Sequence, residues 1–241
     1  MGRGPSIAAR KGAEDARRGK LFTKLIREIT VAARTGGGDP RSNARLRLAL
    51  AKAFDANMPK DTAERAIKRG SGELGDAQYE EIRYEGYGPG GVAIMVDCMT
   101  DNPTRTVADV RHAFSKNGGN LGSSGSVAYL FSEIGQIFLA QDPAKEEQIL
   151  EVALEAGADD VISDAGYIEV LSAPTAFEAV KNALIAKGFE LLQADVTMRP
   201  ATMVQVTGEQ AEAVERIIEM LEDLDDVQKV YSNADLSGRR E

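Results

Sequence analysis

The chain has 241 residues, 43% of them hydrophobic and 28% charged, with a formal net charge of −9; these are the proportions of a soluble globular protein of one to three domains. A single Cys and a single His exclude an internal disulfide and a Cys/His zinc site, and the absence of Trp leaves a largely aliphatic core. No apolar run approaches 18 residues, so no membrane partner is expected. The opening MGRGPSIAARKGAEDARRGK lacks the apolar centre of a secretory signal, and one Cys suits a reducing compartment, the cytoplasm.

In chain order, the first predicted helix covers 21–34, with Phe22, Leu25, Ile26, Ile29 and Ala33 on one face. Lys20, Lys24, Arg27 and Arg34 line another face and are expected to point outward. GGGDP at 36–40 stops this helix, since Gly and Pro do not continue one cheaply. Ser42 or Asn43 can cap a second helix over about 43–56, with Leu46, Ala49, Leu50 and Phe54 inward and Arg41, Arg45 and Lys52 on a common face. A third helix follows NMPKDTAERAIKRG. Pro59 suits its first turn, Asp61 and Glu64 its positive end, Lys68 and Arg69 its negative end, and Gly70 its stop. SGELGDA, 71–77, reads as a linker.

From residue 79 strands alternate with helices. Expected elements are a buried strand 92–99, a helix 104–118 and a strand 126–131. A β-α-β-β-α-β series follows: strand 136–140, helix 144–156, strands 159–163 and 167–171, helix 175–187 and strand 191–198. That order is the ferredoxin-like split unit. Strand 202–206, helix 209–223 and strand 227–231 then add one more β-α-β. Half a split unit makes a poor sheet alone, so this last piece is expected to pair with 91–131. The fold class is therefore α+β: an N-terminal three-helix domain followed by two ferredoxin-like α/β domains, one inserted in the other. The expected domains are 1–77, a basic helical nucleic-acid-binding domain with its linker; 78–133 plus 200–236; and the insert 134–199.

Charge follows the same division. Residues 1–70 hold 17 Lys or Arg against 7 Asp or Glu, a net of +10, and residues 71–241 hold 12 against 31, a net of −19. Such asymmetry points to a polyanion-binding end joined to an acidic, solubilising end; the plainer alternative is a helical domain with a solvated basic face. The candidate phosphate-binding residues are Arg10, Lys11, Arg17, Arg18, Lys20, Lys24, Arg27, Arg34, Arg41, Arg45, Lys52 and Lys60. Phe22 and Phe54, the only aromatics of this segment, are both expected inward, which leaves little platform for stacking unpaired bases.

Two G-x-G-x-x-G matches, 70–75 and 86–91, lack the strand-turn-helix context of a dinucleotide fingerprint and read as turns. GGNLGSSGS, 118–126, offers unencumbered backbone N–H groups that can form an anion nest, with Gly118, Gly119, Asn120, Ser123 and Ser124 as candidate loop contacts; the plainer reading is a connection that needs positive φ. No catalytic constellation is evident. His112 is alone in mid-helix, no G-x-S-x-G elbow follows a strand, and Cys98 in an apolar strand reads as core. No enzymatic activity and no cofactor are expected.

RGKLFTKLIREITVAARTGGGDPRSNARLRLALAKAFDANMPKDTAERAIKRG and YEGYGPGGVAIMVDCMTDNPTRTVADVRHAFSKNGGNLGSSGSVAYLF closely resemble the YebC family, and AGADDV at 156–161 is a further landmark. The resemblance runs through nearly the whole chain. It implies one helical and two α/β domains in a cytoplasmic protein described as a probable DNA-binding transcriptional regulator. Some relatives act instead on ribosomes, with help at proline-rich stretches as one proposed role, so the implied partner is DNA or ribosomal RNA. The family's opening Trp and His positions are lost in GRGPSIAARKG, which puts base stacking by that arm in doubt, although Arg10 and Lys11 keep the basic pair. Pro103 and Thr104 also depart from the family's pattern, while Arg105 remains. A small-molecule sensor is the remaining alternative, resting on fold alone.

Overall fold

The computed structural model describes residues 7–75, 78–164 and 166–240, with side chains described from residue 16 to residue 238 within those ranges. Three helices come first: α1, Ile7–Gly36; α2, Ala44–Asp55; and α3, Lys60–Gly70. They bury a shared core of Leu25, Ile29, Ala32, Leu46, Ala49, Ala53, Met58, Ala63 and Ala66. The many alanines let the helices approach closely. At Gly70 an added Cβ would collide with the Thr30 carbonyl and Ala33, so only Gly seats the end of α3 on α1. Asn43 joins the turns. Its Oδ1 accepts from the Leu46 N–H at 3.1 Å, capping α2, and its Nδ2 donates to the carbonyls of Ala32 and Gly37, both at 2.8 Å.

The α/β part follows. β1, Glu80–Tyr87, pairs antiparallel with β2, Ala93–Thr100. α4, Pro103–Lys116, leads to the short β3, Asn120–Leu121, on the far edge of β1. The next compact unit, residues 129–203, is an uninterrupted stretch of chain. It contains β4, Phe131–Ala140; α5, Glu146–Glu155; β5, Asp160–Asp164; β6, Tyr167–Ser172; α6, Phe177–Ala186; and β7, Gln193–Pro200. Its sheet runs β5-β6-β4-β7, every pair antiparallel, which is the ferredoxin-like arrangement. Ile137, Leu139, Ile149, Ala153, Ile168, Val170, Phe177, Val180 and Leu184 are its buried apolar side chains.

Residues 204–241 return to the first unit. β8, Val204–Gln205, precedes α7, Gly208–Glu222, and β9, Val227–Ser232, while β10, Ala234–Asp235, pairs in parallel with β8. β9 joins β2, giving the sheet order β3-β1-β2-β9. α4 and α7 supply Val110, Ala113, Phe114, Val214, Ile217 and Leu221 against Val92 and, in β2, Ile94, Val96 and Cys98. This is again the ferredoxin-like spatial order, entered at a different strand: β2-α4-β3 is split by β1, and α7 delivers β9 to the open side of β2. The C-terminal β-α-β was expected to pair with 91–131, and it does so through β9 on β2, while β8 pairs with β10.

Two expected strands differ, one strand is unforeseen, and the first helix begins at Ile7 rather than at residue 21. The strand at 126–131 is absent: 128–130 form a 3-10 turn and the strand begins at Phe131. The strand at 202–206 shrinks to β8, which lies outside the main sheets because its only partner is β10. β1 has no counterpart among the expected strands, since EEIRYEGY is rich in charge. Gly86 explains part of its place: a Cβ there would sit 2.5 Å from the Asn120 carbonyl oxygen and 2.7 Å from the Phe114 ring, so β3 and α4 close on β1 only over a glycine.

Candidate nucleic-acid interface

The cations of the helical segment fall into two sets. The first faces the chain's own oxygens. Arg27 Nη1 donates to the carbonyls of Met99 (2.8 Å) and Asp225 (3.2 Å) and to Asp226 Oδ1 (2.9 Å). Its guanidinium lies over the Tyr79 ring at 4.9 Å, and its Nε is buried without a partner. Asp226 also accepts from Arg105 Nε at 3.0 Å, Arg105 Nη2 at 2.9 Å and the Thr106 hydroxyl at 2.8 Å. Burial opposes its charge, but the hydrogen bonds from Arg105, Arg27 and Thr106 outweigh it and hold the carboxyl below its ordinary pKa. Lys20 pairs with the Asp223 carboxylate, and Lys24 donates to the Glu222 carbonyl. Burial pushes the Lys24 ammonium below its usual pKa despite the nearby Glu222 and Asp225. Arg45 bridges Glu28 (2.9 Å) and Glu81 (2.6 Å).

The expected outward placement of Arg27 is therefore corrected. Its side chain is only 12% exposed. The cause is tertiary: the end of α7 and the start of β9 cover that side of α1, which the helical periodicity alone leaves facing water.

The second set looks outward. Arg17, Lys68 and Arg69 are exposed and form no ion pair among the described residues. Arg18 stacks over Phe22 at 5.2 Å. Arg41 meets Asp39 through Nε (3.1 Å) and Nη2 (2.9 Å), yet its side chain stays 90% exposed. Lys60 reaches Glu64 only at 3.7 Å, also in solvent. Arg34 is exposed and Lys52 half-buried, each with an interaction of its own within the protein. Arg10 and Lys11 lie outside the described side chains. Lys68 and Arg69, read from the sequence only as helix-end residues, stand on the last turn of α3 beside the 36–43 loop. A Cβ on Gly38 would lie 3.1 Å from Ile67 and 3.6 Å from Ser71, so that loop rests on the end of α3. Arg34 and Arg41 border the same loop, one at the end of α1 and one in the following 3-10 turn.

Phe54 is corrected too. It is 48% exposed, because Ala53 takes the inward position of the last turn of α2 and Met58 closes the core below it. One aromatic is thus presented to solvent from the basic segment.

The glycine loop is already occupied by an internal anion. The Glu85 carboxylate, 3% exposed, accepts from the N–H groups of Gly125 (2.6 Å), Val127 (3.0 Å) and Ala128 (2.5 Å). Burial works against its charge, but these backbone donors hold its pKa below the ordinary value. Gly122 N–H goes to the Glu85 carbonyl (2.8 Å), and the N–H groups of Gly118 and Gly119 go to carbonyls at the end of α4. Gly118 and Gly119 thus have no N–H to offer a nest. Asn120 lies in β3, and Ser123 and Ser124 are exposed at the loop tip. Glu85 and Asp226 both escape sequence reading, since a carboxylate in a charged strand or an acidic turn looks solvated until the partner segments fold onto it. His112 is exposed on α4 and Cys98 is buried in β2, where burial pushes its thiol up to about 12.

Comparison with known proteins follows the same layout. Residues 4–73 match the family described as the TACO1/YebC protein N-terminal domain, and residues 79–234 match the TACO1/YebC second and third domain. The chain belongs to the TACO1/YebC family. It is 59% identical over 238 residues to the probable transcriptional regulatory protein Smlt3713 of Stenotrophomonas maltophilia, covering 98% of each chain. It is 57% identical over 237 residues to the probable transcriptional regulatory protein XCV3282 of Xanthomonas euvesicatoria, again covering 98% of each. Among solved structures it resembles the conserved hypothetical protein Aq1575 from Aquifex aeolicus, with a TM-score of 0.81 and 48% identity over 92% of this chain and 91% of that one. No described helix of this TACO1/YebC protein is long and apolar enough to cross a membrane.

Proposed function

We propose that this chain is a non-enzymatic, cytoplasmic regulator of gene expression that grips the DNA backbone with the outward cations of its helical segment. The observation that carries this reading is the end of the bundle, where Lys68 and Arg69, exposed and in no ion pair among the described residues, border one loop together with Arg34 and Arg41. Phosphate contacts of this kind position a protein without reading sequence, and their free energy comes largely from counterion release. The names of the close relatives agree with a role in transcription.

Changing Lys68 and Arg69 together to Ala in the full chain tests it. Affinity for duplex DNA should fall for all sequences alike, and the slope of log K against log salt should lose about 1.8 in magnitude, two contacts' worth. Unchanged affinity and slope would reject the site. Ribosomal RNA is the second reading, favoured by Phe54: an exposed aromatic on the basic segment can stack on an unpaired base. Phe54→Ala should then weaken binding to a looped ribosomal RNA fragment and leave duplex DNA binding intact.

A further inference from the structure

The acidic segment beside α1 has a role beyond covering it. We propose that Glu222–Asp225 is an internal phosphate mimic, which occupies Lys20 and Lys24 in the free protein and is displaced when a nucleic-acid backbone binds. The inference rests on the nucleic-acid reading above and extends its surface to two further cations under autoinhibition.

The contact has two layers. The inner one is Arg27 with Asp226, whose side chains are 12% and 7% exposed, tied further to Arg105 and Thr106. It holds α1 in place whatever binds. The outer one is Lys20 with Asp223, 43% and 73% exposed, and Lys24 with the Glu222 carbonyl. Exposed pairs of this kind are individually weak and screened by salt, so a denser anion can replace them. Only side chains need to move, because lysine carries its charge on a flexible four-carbon stem. Lys20 and Lys24 stand one helical turn apart, about 6 Å along the axis, and continue the line of Arg17 on α1. Glu222, Asp223 and Asp225 are all exposed and none is needed to close the core. The segment thus presents the Asp223 carboxylate to Lys20 and the Glu222 carbonyl, with the Glu222 and Asp225 charges nearby, to Lys24, the ammonium groups that a run of phosphates would meet.

The test uses the full chain and a short duplex DNA at several salt concentrations. Glu222→Gln with Asp223→Asn removes two charges from the mimic. Glu209→Gln with Glu212→Gln removes two exposed charges from the other end of α7 and leaves the mimic intact. The first variant should bind about three- to tenfold more tightly than wild type, in keeping with the modest strength of exposed pairs. Its salt slope should stay that of wild type, because once the mimic is displaced both proteins engage the same phosphates. The control should change affinity less and leave the slope alone. If both variants tighten binding equally, net charge explains the effect and the mimic is rejected. If wild type binds and the first variant binds identically, the mimic again fails while the outward-cation reading stands. If neither protein binds DNA, both readings fall.

Discussion

On the side of α1 that meets residues 222–226, each cation is matched with an oxygen of the same chain. At the other end of the bundle, around residues 36–43, cations of the same kinds stand in water. Arg27 and Arg69 differ little in sequence context, since both sit in helices with apolar stripes. Arg27 is nevertheless a buried tether with four polar partners or ring contacts, and Arg69 is a solvated charge. The difference teaches that net charge identifies a polyanion-binding domain but not its binding face. A basic helix carries enough cations both to dock on an acidic neighbour and to hold a ligand, and only the docking partner decides which cation does which.

The largest expected effect is on the inward side. Arg27→Ala leaves Asp226 buried with Arg105 as its one cation beside the Thr106 hydroxyl and strips the Met99 carbonyl of its donor; loss of one partner of a buried pair costs about 3 kcal/mol. A fall in thermal midpoint, with earlier amide exchange in α1, is expected. A midpoint within error of wild type would erase the distinction between the two sets.

The pH dependence of the same tether has a definite sign. The folded-state pKa of Asp226 is depressed. Its contribution is therefore complete above the unfolded value, about 3.9, and is lost as pH falls through the lower folded value. Asp226→Asn should flatten the acid limb of the stability curve in that range; an acid limb identical to wild type would remove Asp226 from the account.

Glu85 provides an independent comparison, a buried carboxylate satisfied by backbone rather than by cations. Glu85→Ala orphans three N–H groups, each worth about 1 kcal/mol or more when unsatisfied. Limited proteolysis should then open residues 122–128 while the α1 amides stay protected. Cleavage elsewhere first would show that the loop is held by something other than Glu85.

The smallest effect on stability is expected outward. Lys68→Ala with Arg69→Ala should leave stability within about 0.5 kcal/mol, although it weakens DNA binding. A large loss of stability would mean that these residues belong to the inward set after all.

Much of this was legible in the residues themselves. Helical spacing in 21–34 and 43–56, the Asn43 cap and the alternation through 136–198 identify the bundle and the ferredoxin-like insert, because local periodicity reports which face is buried. Pairing of the last β-α-β with 91–131 followed from the poverty of a half sheet, and the structure then chose 227–232 against 93–100 as the pair. β1 was hidden because its charged residues are satisfied only across the sheet and loop: Arg83 by Asp97 at 2.7 Å, and Glu85 by residues 125–128. Phe54 was misjudged because periodicity cannot say which of two adjacent residues closes the end of a helix. The sequence by itself thus determined the fold class and the positive charge of the helical segment, both properties of local pattern and composition. Tertiary structure alone decided which cations are spent on Asp223 and Asp226 and which remain in solvent, because an ion pair between residues some two hundred positions apart leaves no mark in the spacing of either.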